Sequence, residues 1–229
     1  MRASFQRDLI LQESYLLKGD AAHHLISVVR VKLNEEILLS NGAGLTIKTE
    51  VSSLSKRELI LTNTGAAHVA RNYIMDLALG IPKKEALELS LKQAVELGFR
   101  KIYLIRSEFS QTRLPEGERL ESLLVSALEQ SNAAYLPEII QMSWNEIPTP
   151  DYNEILLMDS QNPGHKVKFE KSLAPRLLIV GPEGGFSPLE SELLHKMPKI
   201  RILNLPTPIL RTPTAVAVGA GILLESLLD

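Results

Sequence analysis

Three glycines in five residues, Gly181, Gly184 and Gly185, follow the apolar run Leu177-Leu178-Ile179-Val180 and precede Ser187-Pro188-Leu189-Glu190. Glycine lets main chain approach a ligand closely and leaves its amides uncovered. Ser187 suits a helix cap, Pro188 the first turn, and Glu190, three residues on, completes a capping box. Residues 176–190 therefore predict a buried strand, a tight loop and a helix. In α/β proteins ligands bind at such a junction, at the carboxyl end of a strand. The loop is not a Walker loop, because no Gly-Lys-Ser/Thr follows, and its spacing is not that of the dinucleotide fingerprint. Alone it fits equally well a strand-to-helix turn that needs glycines for geometry.

A second stretch tips that balance. Leu205-Pro206-Thr207-Pro208-Ile209-Leu210-Arg211-Thr212-Pro213-Thr214-Ala215 holds three prolines within eight residues, which makes a stiff, extended loop. Thr212 is expected to cap a last helix, with Pro213 in its first turn. Arg211 then sits beside a helix amino terminus, where the dipole disfavours a cation unless an anion is present. It is misplaced for stability and well placed for a ligand. The competing reading is a surface arginine paired to a glutamate.

The elements that must position these loops change character along the chain. Residues 1–70 read as β-rich. Glu36–Ser40 leads into the turn Asn41-Gly42-Ala43-Gly44, Leu45–Val51 alternates apolar and polar, and Glu58–Thr62 is a third strand. A short helix capped at Asp20 and running to Val29 precedes them, and the whole suggests a small barrel. His23 and His24 are adjacent on that helix, do not share a face, and read as surface or packing residues. Arg30, at the helix end, is a dipole-compatible cation or a phosphate contact.

Gly65–Asn72 shows no period and reads as a linker. Beyond it, strands are expected at Tyr73–Leu79, Lys101–Ile105, Ile155–Met158, Leu177–Val180 and Ile202–Leu205. Helices are expected at residues 83–97 (Leu87, Leu91, Ala94 and Val95 on one stripe, Gly98 as stop), from Glu116 to Gln130 (Leu120, Leu123, Leu124, Ala127, Leu128 inward) and from Pro213 to Leu227. Alternating strands and helices imply a mostly parallel sheet.

The 229 residues, 45% of them hydrophobic, suffice for one large or two modest domains with a real core. A net charge of −2 makes no global electrostatic case for nucleic acid, although a local basic face remains compatible with it. The absence of cysteine excludes disulfides, thiolate metal sites and cysteine nucleophiles, and fits a reducing compartment. No signal peptide and no run of 18 apolar residues is visible, so the expectation is a soluble cytoplasmic protein without a membrane span.

Two glycine- or proline-rich loops, each after a late strand of a parallel sheet and each before a helix, resemble the SPOUT class of methyltransferases. The runs Ile179–Ser187, Ile209–Thr212 and Thr214-Ala215 resemble the 16S rRNA uracil-N3 methyltransferase family more closely. So do Lys92-Gln93-Ala94-Val95-Glu96-Leu97-Gly98, Ser107-Glu108-Phe109-Ser110, Glu129-Gln130-Ser131 and, earlier, His24–Arg30. The likeness spans nearly the whole chain in order. It implies an α/β protein with a PUA-like, RNA-binding β-barrel at 1–70 and a SPOUT methyltransferase domain at 71–229, the latter with a deep C-terminal trefoil knot. It further implies a homodimer, S-adenosylmethionine as cofactor, no metal, and a uridine of 16S rRNA in the small ribosomal subunit as substrate, a role in ribosome biogenesis.

Carried residue by residue, the resemblance implies cofactor contacts at Leu157, Gly181, Pro182, Glu183, Gly184, Gly185, Leu203, Leu205, Pro206, Leu210, Thr212 and Ala215. Arg211 is the catalytic candidate, stabilising a uracil anion or clamping phosphate. Arg2, Arg7 and Arg30 are the RNA-contact candidates. Glu183 is a candidate base, though a carboxylate accepting loop amides fits its setting better. The chain departs from the family where Phe109 replaces an arginine, where Asn132-Ala133 replaces Gly-Arg, where Pro206-Thr207-Pro208 replaces Gly-Pro-Arg, and where Pro213 replaces an acidic residue. Those losses define a second reading, a non-catalytic RNA-binding or ribosome-assembly protein on the same fold. A third is an unrelated enzyme that binds phosphate or nucleotide at the glycine loop.

Overall fold

The computed structural model describes residues 1–110, 114, 117–148, 151–161, 173–225 and 227. The chain forms two compact units. The first comprises Met1–Arg71 with Val125–Leu136, and the second Asn72–Leu124 with Pro137–Asp229.

In the first unit β1 (Arg2–Phe5), β2 (Ser14–Leu17), β3 (Glu36–Ser40), β4 (Leu45–Leu54) and β5 (Leu59–His68) form one sheet in the order β1-β3-β4-β5-β2. The sheet curls into a half-barrel and does not close into the barrel that the sequence suggests. The inward residues Ile37, Leu39, Ile47, Val51, Leu59 and Leu61 are buried together with Leu25. The Asn41–Gly44 turn forms as the sequence predicts. Asn41 Oδ1 accepts the amides of Ala43 (2.8 Å) and Leu45 (3.1 Å), and Gly42 and Gly44 adopt φ of 67° and 101°.

Two local expectations are corrected. The helix begins at Gly19 rather than behind an Asp20 cap. Lys18 is the flanking residue, Asp20 lies in the first turn, and no side chain caps this end. Helix α1 (Gly19–His23) widens into π-type winding over His24–Val29 and stops at Arg30, whose left-handed φ of 58° ends it. The Gly65–Asn72 linker is also shorter than expected. Gly65–His68 continue β5 and pair with Leu45–Lys48 past a bulge at Lys48/Thr49. Their side chains are exposed on both faces, so no apolar alternation marks them as strand.

The second unit is a six-stranded parallel sheet with helices α2 (Lys84–Glu96), α3 (Gly117–Ser131), α4 (Pro188–His195) and α5 (Thr212–Glu225), although α3 passes into the first unit from Val125 onward. Its strands are β6 (Met75–Gly80), β7 (Lys101–Arg106), β8 (Glu138–Ser143), β9 (Glu154–Met158), β10 (Arg176–Val180) and β11 (Ile200–Leu203). The order is β11-β9-β10-β6-β7-β8, and β6 and β10 are buried along their whole length. Leu87, Leu91, Ala94 and Val95 form the buried stripe of α2, and Gly98 at φ 75° follows its end. Glu116, the expected start of α3, lies outside the described residues, as does Ser226, which separates the end of α5 from Leu227. Strand β8, with a half-buried edge pattern, has no clear signal in sequence.

Ion pairs gather at the amino ends of these strands. Asp76, fully buried, accepts Arg100 Nε (3.1 Å), the Lys101 amide (2.9 Å) and the Tyr152 hydroxyl (2.7 Å). Burial, then the hydrogen bonds to Tyr103 and Asp76, push the Tyr152 phenol well above its ordinary range. The bond to Asp76 likewise raises Arg100. Arg176 bonds Glu154 (2.8 Å) and the Leu223 carbonyl (2.7 Å). With these charges committed at one edge, the opposite edge remains for a ligand.

Candidate functional site

At the carboxyl edge, the loops after β9, β10 and β11 enclose a cleft of about 900 Å³, its open mouth included. The glycine loop forms as expected. Ser187 caps α4, its hydroxyl accepting the Glu190 amide (3.4 Å) while Glu190 Oε2 accepts the Ser187 amide (2.8 Å). The same carboxylate reaches across to the Glu108 amide (2.9 Å), which fixes the loop after β7 against the start of α4. Gly185 turns at φ 72° and donates to the Pro182 carbonyl (2.9 Å). Glu183 accepts the Lys83 amide at the start of α2 (3.1 and 3.2 Å), a helix amino terminus that favours the carboxylate. This is the amide-accepting role the sequence favours, with the amide supplied by another loop.

Thr212 does not cap α5. Its hydroxyl donates to the Gly181 carbonyl (3.2 Å) and ties the proline loop to the glycine loop. Arg211 flanks the helix instead, with its carbonyl accepting the Ala215 amide (2.9 Å). The Arg211 side chain is exposed between Leu210 and Thr212, both of which line the cleft.

Ten expected cofactor positions line the cleft: Gly181, Pro182, Glu183, Gly184, Gly185, Leu203, Leu205, Leu210, Thr212 and Ala215. Two do not. Leu157 is buried in the core, its neighbour Met158 facing the cleft, and Pro206 is exposed. Sequence reading missed the turn after β9, where Asp159 and Gln161 form part of the wall. Asp159 Oδ2 lies 2.9 Å from His195 Nε2, and Oδ1 accepts the Gln161 amide (2.8 Å). A polar Asp-Ser-Gln run directly after an apolar strand was the available signal.

Of the positions where the chain departs from the resemblance, three lie here, Thr207 among the lining residues. Pro208 lines the cleft, and Phe109 packs on Gly184, where an added Cβ would sit 3.0 Å from Phe109 Cβ. Asn132 and Ala133 belong to the other unit, where Asn132 at φ 56° terminates α3. Among the RNA-contact candidates, Arg2 donates to the Val29 carbonyl (2.8 Å) and pairs with Glu35 (3.2 Å), while Arg7 and Arg30 are exposed. His23 and His24 are exposed too. No group of three or more His, Asp and Glu among the described residues is arranged for a metal. No helix among them is long and apolar enough to cross a membrane.

The cleft suits a compact ligand with apolar and polar parts. Leucines 203, 205 and 210 give it apolar walls, and the glycine loop brings main chain to its edge. Comparison with known proteins agrees with this architecture. The family described as an RNA methyltransferase PUA domain matches residues 17–62, and the family described as an RNA methyltransferase domain matches residues 71–224. The ribosomal RNA small subunit methyltransferase E of Rickettsia conorii is 29% identical, covering 84% of this chain and 82% of its own. The Bacillus subtilis protein of the same name is 26% identical, covering 88% and 86%. A Porphyromonas gingivalis structure, described as a probable rRNA-methyltransferase, superposes with TM-score 0.78 at 25% identity, covering 99% of this chain and 98% of its own. The ribosomal RNA small subunit methyltransferase E of Neisseria gonorrhoeae, bound to S-adenosyl methionine, shares the fold with TM-score 0.83 at 22% identity over 98% and 97% of the two chains. The match over residues 71–224 takes in more than half of the sequence and every loop of the cleft, and on it this chain belongs to the RNA methyltransferase domain family.

Proposed function

We propose that this protein is an S-adenosylmethionine-dependent methyltransferase that methylates N3 of a uridine in the 16S rRNA of the small ribosomal subunit, in the cytoplasm. The observation that carries the proposal is the cleft built from the glycine loop and the Leu203–Thr212 loop, in a chain of this family. The cofactor, when bound, supplies an electrophilic sulfonium methyl. The protein's part is to hold it, to orient it against the acceptor nitrogen and to exclude water. Main chain at Gly181–Gly185 and the apolar walls at Leu203, Leu205 and Leu210 do the holding. The Thr212–Gly181 hydrogen bond keeps the two loops in register.

Uracil N3 normally pairs, so the base must reach the cleft unpaired or flipped. N3 exchanges its proton for the methyl, the proton passing to solvent. Arg211, exposed at the lip of the cleft, meets the negative charge that develops on the ring or clamps an adjacent phosphate. Glu183 is occupied by the Lys83 amide and is a structural residue, not the base.

The finer architecture belongs to the same proposal. Residues 1–70 are the RNA-binding, PUA-like domain, with Arg7 and Arg30 on its surface and Arg2 shared with Glu35. Residues 71–229 are the SPOUT domain. Its trefoil knot runs through the loops 181–185 and 203–210, and α5 lies close against β10, as the 2.6 Å between a Cβ added at Gly219 and Leu178 Cδ1 supports. Two subunits pair as a homodimer. Calorimetric titration with S-adenosylmethionine, ATP and inorganic phosphate tests the cofactor assignment. Saturable binding of the first alone is expected, and binding of ATP or phosphate without S-adenosylmethionine would overturn it.

A further inference from the structure

A second pocket opens at the carboxyl ends of β7 and β8. Its floor is apolar, from Ile81 and Leu104, which are 2% and 0% exposed. Its rim is polar, from Arg106, Gln141, Ser143 and Glu146. Parallel pairing sets Leu104 beside Gln141 and Arg106 beside Ser143, so the wall is a regular sheet face and not a loop accident. We infer that this pocket holds one unstacked nucleotide of the RNA substrate, a neighbour of the methylated uridine, and so contributes to choosing the site of methylation. The inference rests on the methyltransferase reading above.

Four observations carry it. The pocket shares the sheet edge of the cofactor-sized cleft, and the partition between them is one strand end thick. Ile81 lines the pocket, Pro182 lines the cleft, and an added Cβ on Gly80 would lie 2.4 Å from Pro182 Cδ. The pocket's volume, about 460 Å³ with the open mouth included, leaves room for a single nucleobase. The Arg106 side chain makes no hydrogen bond or ion pair among the described residues, unlike those of Arg2, Arg100, Arg119 and Arg176. Finally, the rim mixes donors with an acceptor. The Arg106 fork and the Gln141 amide face the pocket beside Glu146, whose Oε2 already accepts the Ser143 amide (2.7 Å). A carboxylate at the rim repels a free phosphate but accepts from a base edge.

The methyl acceptor itself must reach the first cleft, so the second pocket takes a flanking base. Arg106 and Gln141 are exposed, and their truncation leaves the core and the cofactor loops untouched. The test is RNA affinity measured without cofactor, using a 16S rRNA fragment, alongside KM for small subunits and calorimetry with S-adenosylmethionine. Arg106→Ala and Gln141→Ala should each weaken RNA binding and raise the RNA KM about tenfold, the loss of one good base contact. S-adenosylmethionine affinity and the melting temperature should not move. Arg106→Lys should recover only part, because it keeps the charge but not the fork. RNA affinity and KM within twofold of wild type in both alanine variants would overturn the pocket while leaving the methyltransferase reading intact, and so would equal weakening of cofactor binding. A wild-type protein that neither binds S-adenosylmethionine nor methylates RNA would overturn both.

Discussion

Gly80 is the position where a single added methyl group bears hardest on the glycine loop. It ends β6 directly under the glycine loop. A Cβ added there would lie 2.4 Å from Pro182 Cδ, 2.8 Å from Pro182 N and 3.2 Å from the Gly181 carbonyl carbon. Ordinary contact begins at 3.4 Å, so the loop must retreat by about 1 Å in an already packed setting. Pro182 cannot swing aside, because its ring is part of the main chain. The loop is also pinned by Thr212 on Gly181 (3.2 Å) and by Glu183 on the Lys83 amide (3.1 Å). Overpacking of this kind costs about 1–3 kcal/mol. If only about 1.4 kcal/mol of that falls on the bound state, the S-adenosylmethionine Kd rises about tenfold. Urea unfolding and calorimetry on Gly80→Ala, run beside wild type, separate the two effects. Wild-type affinity in a folded Gly80→Ala protein would refute the claim that the glycine loop is the cofactor wall.

Other perturbations test other joints. Thr212→Val keeps the shape but loses the hydroxyl that joins the two loops, and calorimetry should show S-adenosylmethionine binding weakened by about 0.5–1.5 kcal/mol; unchanged binding would mean the loops hold their register without it. Two glycines of α5 should respond with opposite signs in urea melts. Gly219→Ala drives a methyl to 2.6 Å from Leu178 Cδ1, and the overpacking less the helix gain should destabilise by up to about 2 kcal/mol, whereas Gly221→Ala enters open space and should stabilise by about 0.5–1 kcal/mol. Equal effects at the two positions would count against the packing of this helix. Tyr152, 1% exposed and hydrogen-bonded to Asp76, has its phenol pKa raised by folding, so the native state keeps a proton that the unfolded chain releases above about pH 10. Its contribution is therefore complete below that pH and is lost above it, at up to about 1.4 kcal/mol per pH unit. Tyr152→Phe should be less stable at pH 8 and lose less between pH 8 and 10.5, and parallel losses for variant and wild type would contradict the assignment.

The features legible in the sequence were those encoded locally. The glycine loop, the Ser187–Glu190 capping box, the Asn41–Gly44 turn and the stripe on α2 each depend on residues within one or two turns of one another. Contacts across the fold left no such trace. Glu190 reaching Glu108, Glu183 reaching Lys83 and Asp159 meeting His195 join positions between 36 and 100 residues apart. Thr212 misled for a related reason, since a threonine before Pro213 looks like a cap until Gly181 arrives as a better partner. The Gly65–His68 strand end was silent because neither of its faces is buried. Ten of the twelve positions that the resemblance implies line the cleft, yet strand alternation turned Leu157 into the core and put Met158 at the cleft.

The most direct test of the central claim is methyl transfer followed to the nucleoside. Small subunits lacking the modification are incubated with the protein and methyl-labelled S-adenosylmethionine, and the digested 16S rRNA is analysed for labelled 3-methyluridine. One labelled uridine is expected with wild type, and transfer that collapses in Arg211→Ala while cofactor binding persists. Cofactor binding with no label in RNA would contradict it and leave the non-catalytic RNA-binding reading in its place.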